Sequence, residues 1–290
     1  TGPPWSHFFE KTSTRNAFVI TSAVLSSLSA PRLDVYREHF NAETDSEVLG
    51  AYMWNSAVGA SLMPLLTLLE VTLRNKVHSA MSSITNNQGD ALWFDPLGNN
   101  SPRLNTAART KFDAELLDGN GHRITPARSA DKVVSSVSIK AWPDVLQSLK
   151  GHIAPRVFPI IFSTYPKATQ DDWGANEFRA TIVKELYTAV SFRNRVVHQE
   201  ALWKPHHLGG HQKQTWEKSV AQLRSYVEQE IIHHLVNGMC QDSLKLYKAS
   251  YAWQWFSRLC NAAAVRHFMN DPTTKRPTLP TWSPKMSVRE

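Results

Sequence analysis

Six consecutive residues, Arg193-Asn194-Arg195-Val196-Val197-His198, set two guanidinium groups, a carboxamide and an imidazole beside apolar side chains. An unperturbed imidazole titrates near pH ~6.5, so it can take or give a proton at neutral pH. An arginine can hold a phosphate through two parallel hydrogen bonds. Together they suit RNA transesterification: the 2′-hydroxyl loses its proton and attacks the neighbouring phosphate, and a fixed cation stabilises the developing charge. That chemistry requires no metal. Asn194 and His198 are four apart, so on a helix they share a face and a hydrogen bond between them would orient the ring. Arg193 lies five before His198, which on an ideal helix turns the two about 140° apart. They meet only if the arginine reaches round or the helix ends at His198. Spacing alone favours a plainer reading, a surface cluster that caps a helix end.

Other groups give weaker signals. Glu70, Arg74 and His78 recur every four residues and form a polar stripe, which suits either a surface ion pair or the lining of a site. Arg74-Asn75-Lys76-Val77-His78 resembles the main segment shortened by one residue, too close to make a second centre. His206, His207 and His211 are metal-ligand types, but their Gly-containing loop offers no acidic or thiol partner. Trp203 and Lys204 would stack on and pair with RNA, unless the indole is buried. Cys240 and Cys260 lack metal-type spacing and make no disulfide framework, so a reducing cytoplasm is expected.

The elements that must position these groups read as helices, and the fold class expected is all-α. Apolar residues Leu62, Leu65, Leu66, Leu69, Leu73, Val77, Met81 and Ile84 keep a helical period, predicting a helix of roughly 35 Å. Pro64 makes the preceding run, Ser46 to Ala60, a separate helix or a kinked extension. The region 86–141 reads as loop-rich, with short helices opened by Ser101-Pro102 and Thr125-Pro126, and another at Trp142-Pro143. From Ala175, Phe178, Ile182, Leu186, Val190 and Val197 mark one helical face. After a polar break, Thr215 caps a helix striped by Val220, Leu223, Val227, Ile231 and Leu235, with Asn237-Gly238 as its stop. One further helix is predicted over 242–268. The expected organisation is a single helical domain over 1–270, with its core at about 45–235, and a flexible Pro-rich basic tail over 271–290.

Composition fits this picture. The 290 residues are 42% hydrophobic and carry a net charge of +7, which favours a polyanionic partner. The apolar run from Leu62 to Leu73 is broken by Glu70 and reads as too short to cross a bilayer, so no membrane partner is expected. Arg15 followed by Ala17 to Leu25 looks like a weak signal peptide but reads as a core helix.

The segment Ser191-Phe192-Arg193-Asn194-Arg195-Val196-Val197-His198-Gln199-Glu200 resembles the Arg-x-x-x-x-His motif of HEPN-superfamily ribonucleases. More narrowly it is similar to the Abi-like (abortive infection) branch. Leu69-Glu70-Val71-Thr72-Leu73-Arg74-Asn75 resembles that branch's first long helix, and Val137-Ser138-Ile139-Lys140-Ala141-Trp142 its mid-chain aromatic segment. The resemblance covers about residues 45 to 235. It implies a HEPN-type helical bundle with additional peripheral helices, and a metal-independent endoribonuclease without cofactor, acting as a toxin or antiphage effector. It also implies a composite site built from two HEPN units; with a single good motif in the chain, a homodimer is expected. By the resemblance, Arg193 and His198 are the catalytic pair and Asn194 orients them. Arg74 and Asn75 match the upstream block as support for the site; from the residues alone, Glu70, Arg195 and Lys204 are expected as supporting or RNA-binding groups. The expected partners are RNA, a second copy and an antitoxin. The antitoxin carries one departure: Glu200 stands where some HEPN proteins have the tyrosine associated with a nucleotidyltransferase antitoxin. The alternative is a non-cleaving RNA-binding module or a dimerising scaffold.

Overall fold

The computed structural model describes residues 24–85, 92–95, 104–166, 168–204 and 215–272. In chain order it forms α1 (Ala30–Phe40), α2 (Asp45–Ile84), α3 (Thr106–Leu116), α4 (Ala130–Ser136), α5 (Ala141–Ser148) and α6 (Ala154–Ile161). There follow α7 (Asn176–Val197), α8 (Trp216–Tyr226) with a π-helical continuation over Val227–Val236 and a last turn over Asn237–Met239, then α9 (Gln241–Ala249), α10 (Tyr251–Leu259) and α11 (Ala262–Asn270). Among the described residues the one β contact is an isolated bridge between Leu117 and Arg123, so the fold is all-α.

Helix α2 is the axis. Thr44 opens it: its hydroxyl accepts the Glu47 N–H at 3.2 Å, and the Glu47 carboxylate takes the Thr44 N–H at 2.9 Å. This reciprocal cap satisfies two donors that a helix start leaves unpaired. The helix then runs 40 residues without a break, about 60 Å. The two-part alternative for Ser46–Ala60 is thereby resolved: Pro64 lies inside one continuous helix. Pro64 and Ala60 are both exposed, so the carbonyl that loses its partner faces water.

An 18-residue window of α2 has mean hydropathy 1.6 and is apolar and long enough to cross a membrane, by length and composition. That corrects the reading of the Leu62 run as too short, because the run extends well before Leu62. Here 44% of that window is buried inside the protein. Its stripe of Leu62, Leu65, Leu66, Leu69 and Leu73 is almost wholly covered.

The ends of the chain wrap this axis. Tyr36 and Phe40 of α1 meet Trp54 and Trp203, with the Phe40 and Trp203 rings 4.6 Å apart. The predicted helix over 242–268 is instead three short helices, because Ser250 and Asn261 each cap a new one. The Ser250 hydroxyl accepts from Trp253 N–H and the Asn261 carbonyl from Ala264 N–H. These helices belong to the core rather than its periphery. Trp54 Nε1 donates to the Leu259 carbonyl at 2.8 Å, and a Cβ on Gly50 would lie 2.1 Å from the Phe268 carbonyl oxygen.

Two further expectations change. Gly238 does not stop its helix; it sits inside the last turn, where a Cβ would meet the Tyr165 ring at 3.0 Å. Val197 is 40% exposed while Val196 is buried, so the core stripe of α7 leaves the predicted line at its last turn. The Ser101-Pro102 helix start and most of the Ala17–Leu25 stretch lie outside the described residues. Thr215 caps α8 as expected, while α4 opens at Ser129, three residues past Thr125-Pro126.

Candidate functional site

Helix α7 stops at His198. Its N–H still bonds back to the Asn194 carbonyl at 2.9 Å, and Gln199 then takes φ +55°, the left-handed turn that ends many helices. The Glu200 N–H returns to the Arg195 carbonyl at 2.9 Å. What holds this turn is Asn55, buried in mid-α2. Its Nδ2 donates to the Glu200 carbonyl at 3.0 Å, and its Oδ1 accepts the Leu202 N–H at 3.0 Å. The Ser56 hydroxyl donates to the Gln199 side-chain carbonyl at 3.0 Å. The imidazole therefore leaves from a fixed backbone position and is exposed to solvent.

The same contacts give the register. Asn55 meets residues 200 and 202, Gly59 faces Val196, and Glu70 meets Arg193, so α7 runs antiparallel to α2. Arg193 is 3.5 Å from Glu70, both partly buried. Glu70 lies further along α2 than any residue beside the His198 turn, so this ion pair draws the guanidinium away from His198. Arg193 also donates to the Asn194 side-chain oxygen Oδ1 at 3.4 Å. No hydrogen bond joins the Asn194 and His198 side chains among the described residues; their link is through the backbone alone. The orienting bond expected from the i, i+4 spacing is replaced by the Arg193 contact.

Arg74, Asn75 and His78 face another way. With Asp131, Lys132 and Ser135 of α4 they line an open cleft of about 630 Å³. The Arg74 Nε is buried without a hydrogen-bond partner among the described residues. His78 Nδ1 accepts the Trp93 indole N–H at 3.0 Å, which leaves the proton on Nε2. Burial lowers the His78 pKa, with Asp131 opposing. Glu70 is one helical turn from Arg74, so this stripe connects the cleft to Arg193, but among the described residues no hydrogen bond joins Arg74 or Asn75 to Arg193, Asn194 or His198.

Burial also lowers the Arg195 pKa, against the opposing charge of Glu200. Lys204 is exposed, whereas Trp203 is 1% exposed, packed among Tyr36, Phe40 and Trp54. Trp203 is thus a core residue and no stacking platform for RNA. His206, His207 and His211 lie outside the described residues.

Two residues escaped the sequence reading. Asn55 had one signal, a carboxamide set in an otherwise apolar helical run. Arg32 had none: α1 brings its guanidinium 3.5 Å from the His198 carbonyl oxygen, across 166 residues of sequence. The local arrangement is a solvent-facing imidazole at an ordered helix end, with the Arg32 guanidinium at the His198 carbonyl oxygen and Arg193 held at Glu70. No family model, curated protein or solved structure matches the chain.

Proposed function

We propose that this chain is a metal-independent endoribonuclease of the HEPN type, close to the Abi-like branch, acting as a homodimeric toxin or antiphage effector in the cytoplasm. The observation that carries this reading is His198, exposed at a hydrogen-bonded helix end with the Arg32 guanidinium 3.5 Å from its carbonyl oxygen. Proton transfer at an RNA 2′-hydroxyl needs an accessible imidazole in a fixed place, and the scissile phosphate needs a cation. Within one chain Arg193 is turned toward Glu70 and away from His198. A site pairing His198 of one protomer with Arg193 of the other fits that divergence. Val197 beside His198, and Met53 and Met63 on α2, are large apolar side chains left exposed.

The divergence also favours a second reading, an RNA-binding protein that does not cut, because Glu70 offsets the charge of Arg193. The two readings separate on matched RNA and DNA oligonucleotides. The nuclease cuts RNA alone, since DNA lacks the attacking hydroxyl, and leaves 2′,3′-cyclic phosphate ends. Binding to RNA without cleavage supports the second reading. Cleavage of both nucleic acids contradicts the mechanism.

A further inference from the structure

Two turns before Arg193, the α7 side chain of Glu185 meets Glu230 and His234 of the π-helical segment. His234 Nδ1 lies 3.2 Å from a Glu185 oxygen and 3.2 Å from a Glu230 oxygen, and all three donor atoms fall within 4.8 Å of one another. We propose that these three side chains form a binding site for a divalent transition-metal ion, Zn²⁺ or a cation of similar size, that clips α7 to the π-helical segment.

The two His234–carboxylate spacings of 3.2 Å fit an ion. Bonds of about 2.0–2.2 Å to imidazole and carboxylate, at angles between octahedral and tetrahedral, place neighbouring donors roughly 2.9–3.4 Å apart. One imidazole nitrogen with two carboxylate oxygens is a donor set for Zn²⁺, Mn²⁺ or Co²⁺, and the lack of thiolate disfavours softer metals. The charge also fits, because two carboxylates balance one divalent cation.

The surroundings are arranged to orient the ligands. The Tyr165 hydroxyl donates to the other Glu185 oxygen at 2.8 Å, leaving the oxygen near His234 to coordinate. Tyr165 is itself fixed by close approach to Gly238 and by its edge-on contact with Phe178. A second, independent observation is Tyr226. It is 8% exposed, its hydroxyl has no hydrogen-bond partner among the described residues, and it stands four residues before Glu230 on the same continuous helical stretch, so the two share a face. A water on the ion would give that hydroxyl the partner it lacks. The winding contributes too: Glu230 and His234 lie in a π-helical stretch, a wider turn that often marks functional positions.

The site is separate from His198, and the ion has a structural role that leaves the proposed cleavage chemistry metal-free. A proton held between His234 and the two carboxylates is the competing account of the same geometry. The test is titration of chelator-treated full-length protein with Co²⁺, followed by visible absorption and by thermal unfolding. The proposal expects one equivalent with nitrogen–oxygen d–d bands and a rise in Tm. Affinity falls at least tenfold in Glu230→Gln and in His234→Ala, and about tenfold in Tyr165→Phe, the usual scale for a group that orients a ligand. A triple His206→Ala, His207→Ala, His211→Ala variant keeps the binding. Because Glu230 is the most exposed of the three ligands, its glutamine variant tests the site even if His234→Ala does not fold. No Co²⁺ binding by the wild type, or binding unchanged in Glu230→Gln, overturns the proposal and leaves the proton-bridged triad.

Discussion

Arg193 of α7 lies 3.5 Å from Glu70 of α2, and the contact points the guanidinium away from His198, five residues further on. A pair this long and partly exposed adds less than about 1 kcal/mol to stability. Its larger effect is on where the cation stands. Glu70→Gln is therefore expected to leave the urea midpoint nearly unchanged and to lower single-turnover RNA cleavage about tenfold, without weakening RNA binding. Cleavage at the wild-type rate in Glu70→Gln would reduce the contact to an ordinary ion pair.

Asn55 carries the turn that follows His198. Removing its carboxamide leaves the Glu200 carbonyl and the Leu202 N–H without the partners that α2 supplies. Asn55→Ala is expected to cost about 2–3 kcal/mol, the scale of two buried polar groups left unpaired. Urea unfolding measures the loss. Hydrogen exchange should show it concentrated at residues 199–202, and a uniform loss across α7 would mean that Asn55 does not act on the turn.

His39 predicts an acid-side loss of stability. Its ring stacks on Trp203 at 5.2 Å, and burial, reinforced by the charge of Lys204, lowers its pKa from 6.5 to about 4. Between those values the unfolded chain binds the proton and the folded chain does not, so stability falls as pH falls. The contribution is complete above pH ~6.5 and lost by about pH 4. A difference curve between wild type and His39→Phe isolates it from the carboxylates. The expected curve has a slope within that window and is flat above it; a flat curve throughout would contradict the assignment.

The all-α class and the main helices were legible because long apolar stripes at a helical period need no distant information. The stripe from Leu62 to Ile84 is one such case. Pro64 misled because its effect depends on which way it faces, and exposure is a tertiary fact. The C-terminal segment kept a helical pattern through Ser250 and Asn261, whose capping roles depend on where the chain turns. Gly238 carried the signal of a helix stop but serves a close approach by Tyr165. At the candidate site, the difficulty of joining Arg193 to His198 was readable from a five-residue spacing; the helix end at His198 was one of two alternatives, and it does not bring the pair together. Arg32 was not, since α1 reaches His198 only through the packing of Tyr36 and Phe40 around Trp203.

A composite site makes a prediction about mixtures. Arg193→Ala and His198→Ala proteins are each expected to be inactive. Unfolded or exchanged together, they form mixed dimers in which one of the two sites is intact, restoring roughly a quarter of wild-type cleavage for random pairing in a two-fold dimer. No recovery, with mixed dimers verified by mass, would place both groups in one chain.

The most direct measurement is cleavage of cellular RNA in the presence of EDTA by the wild type, Arg193→Ala and His198→Ala. Wild-type cleavage that survives the chelator and falls by about 10²–10⁴ in His198→Ala, the range for loss of a general acid–base group, with a parallel loss in Arg193→Ala, is the predicted result. Cleavage that stops in EDTA, or that persists undiminished in His198→Ala, would contradict the account.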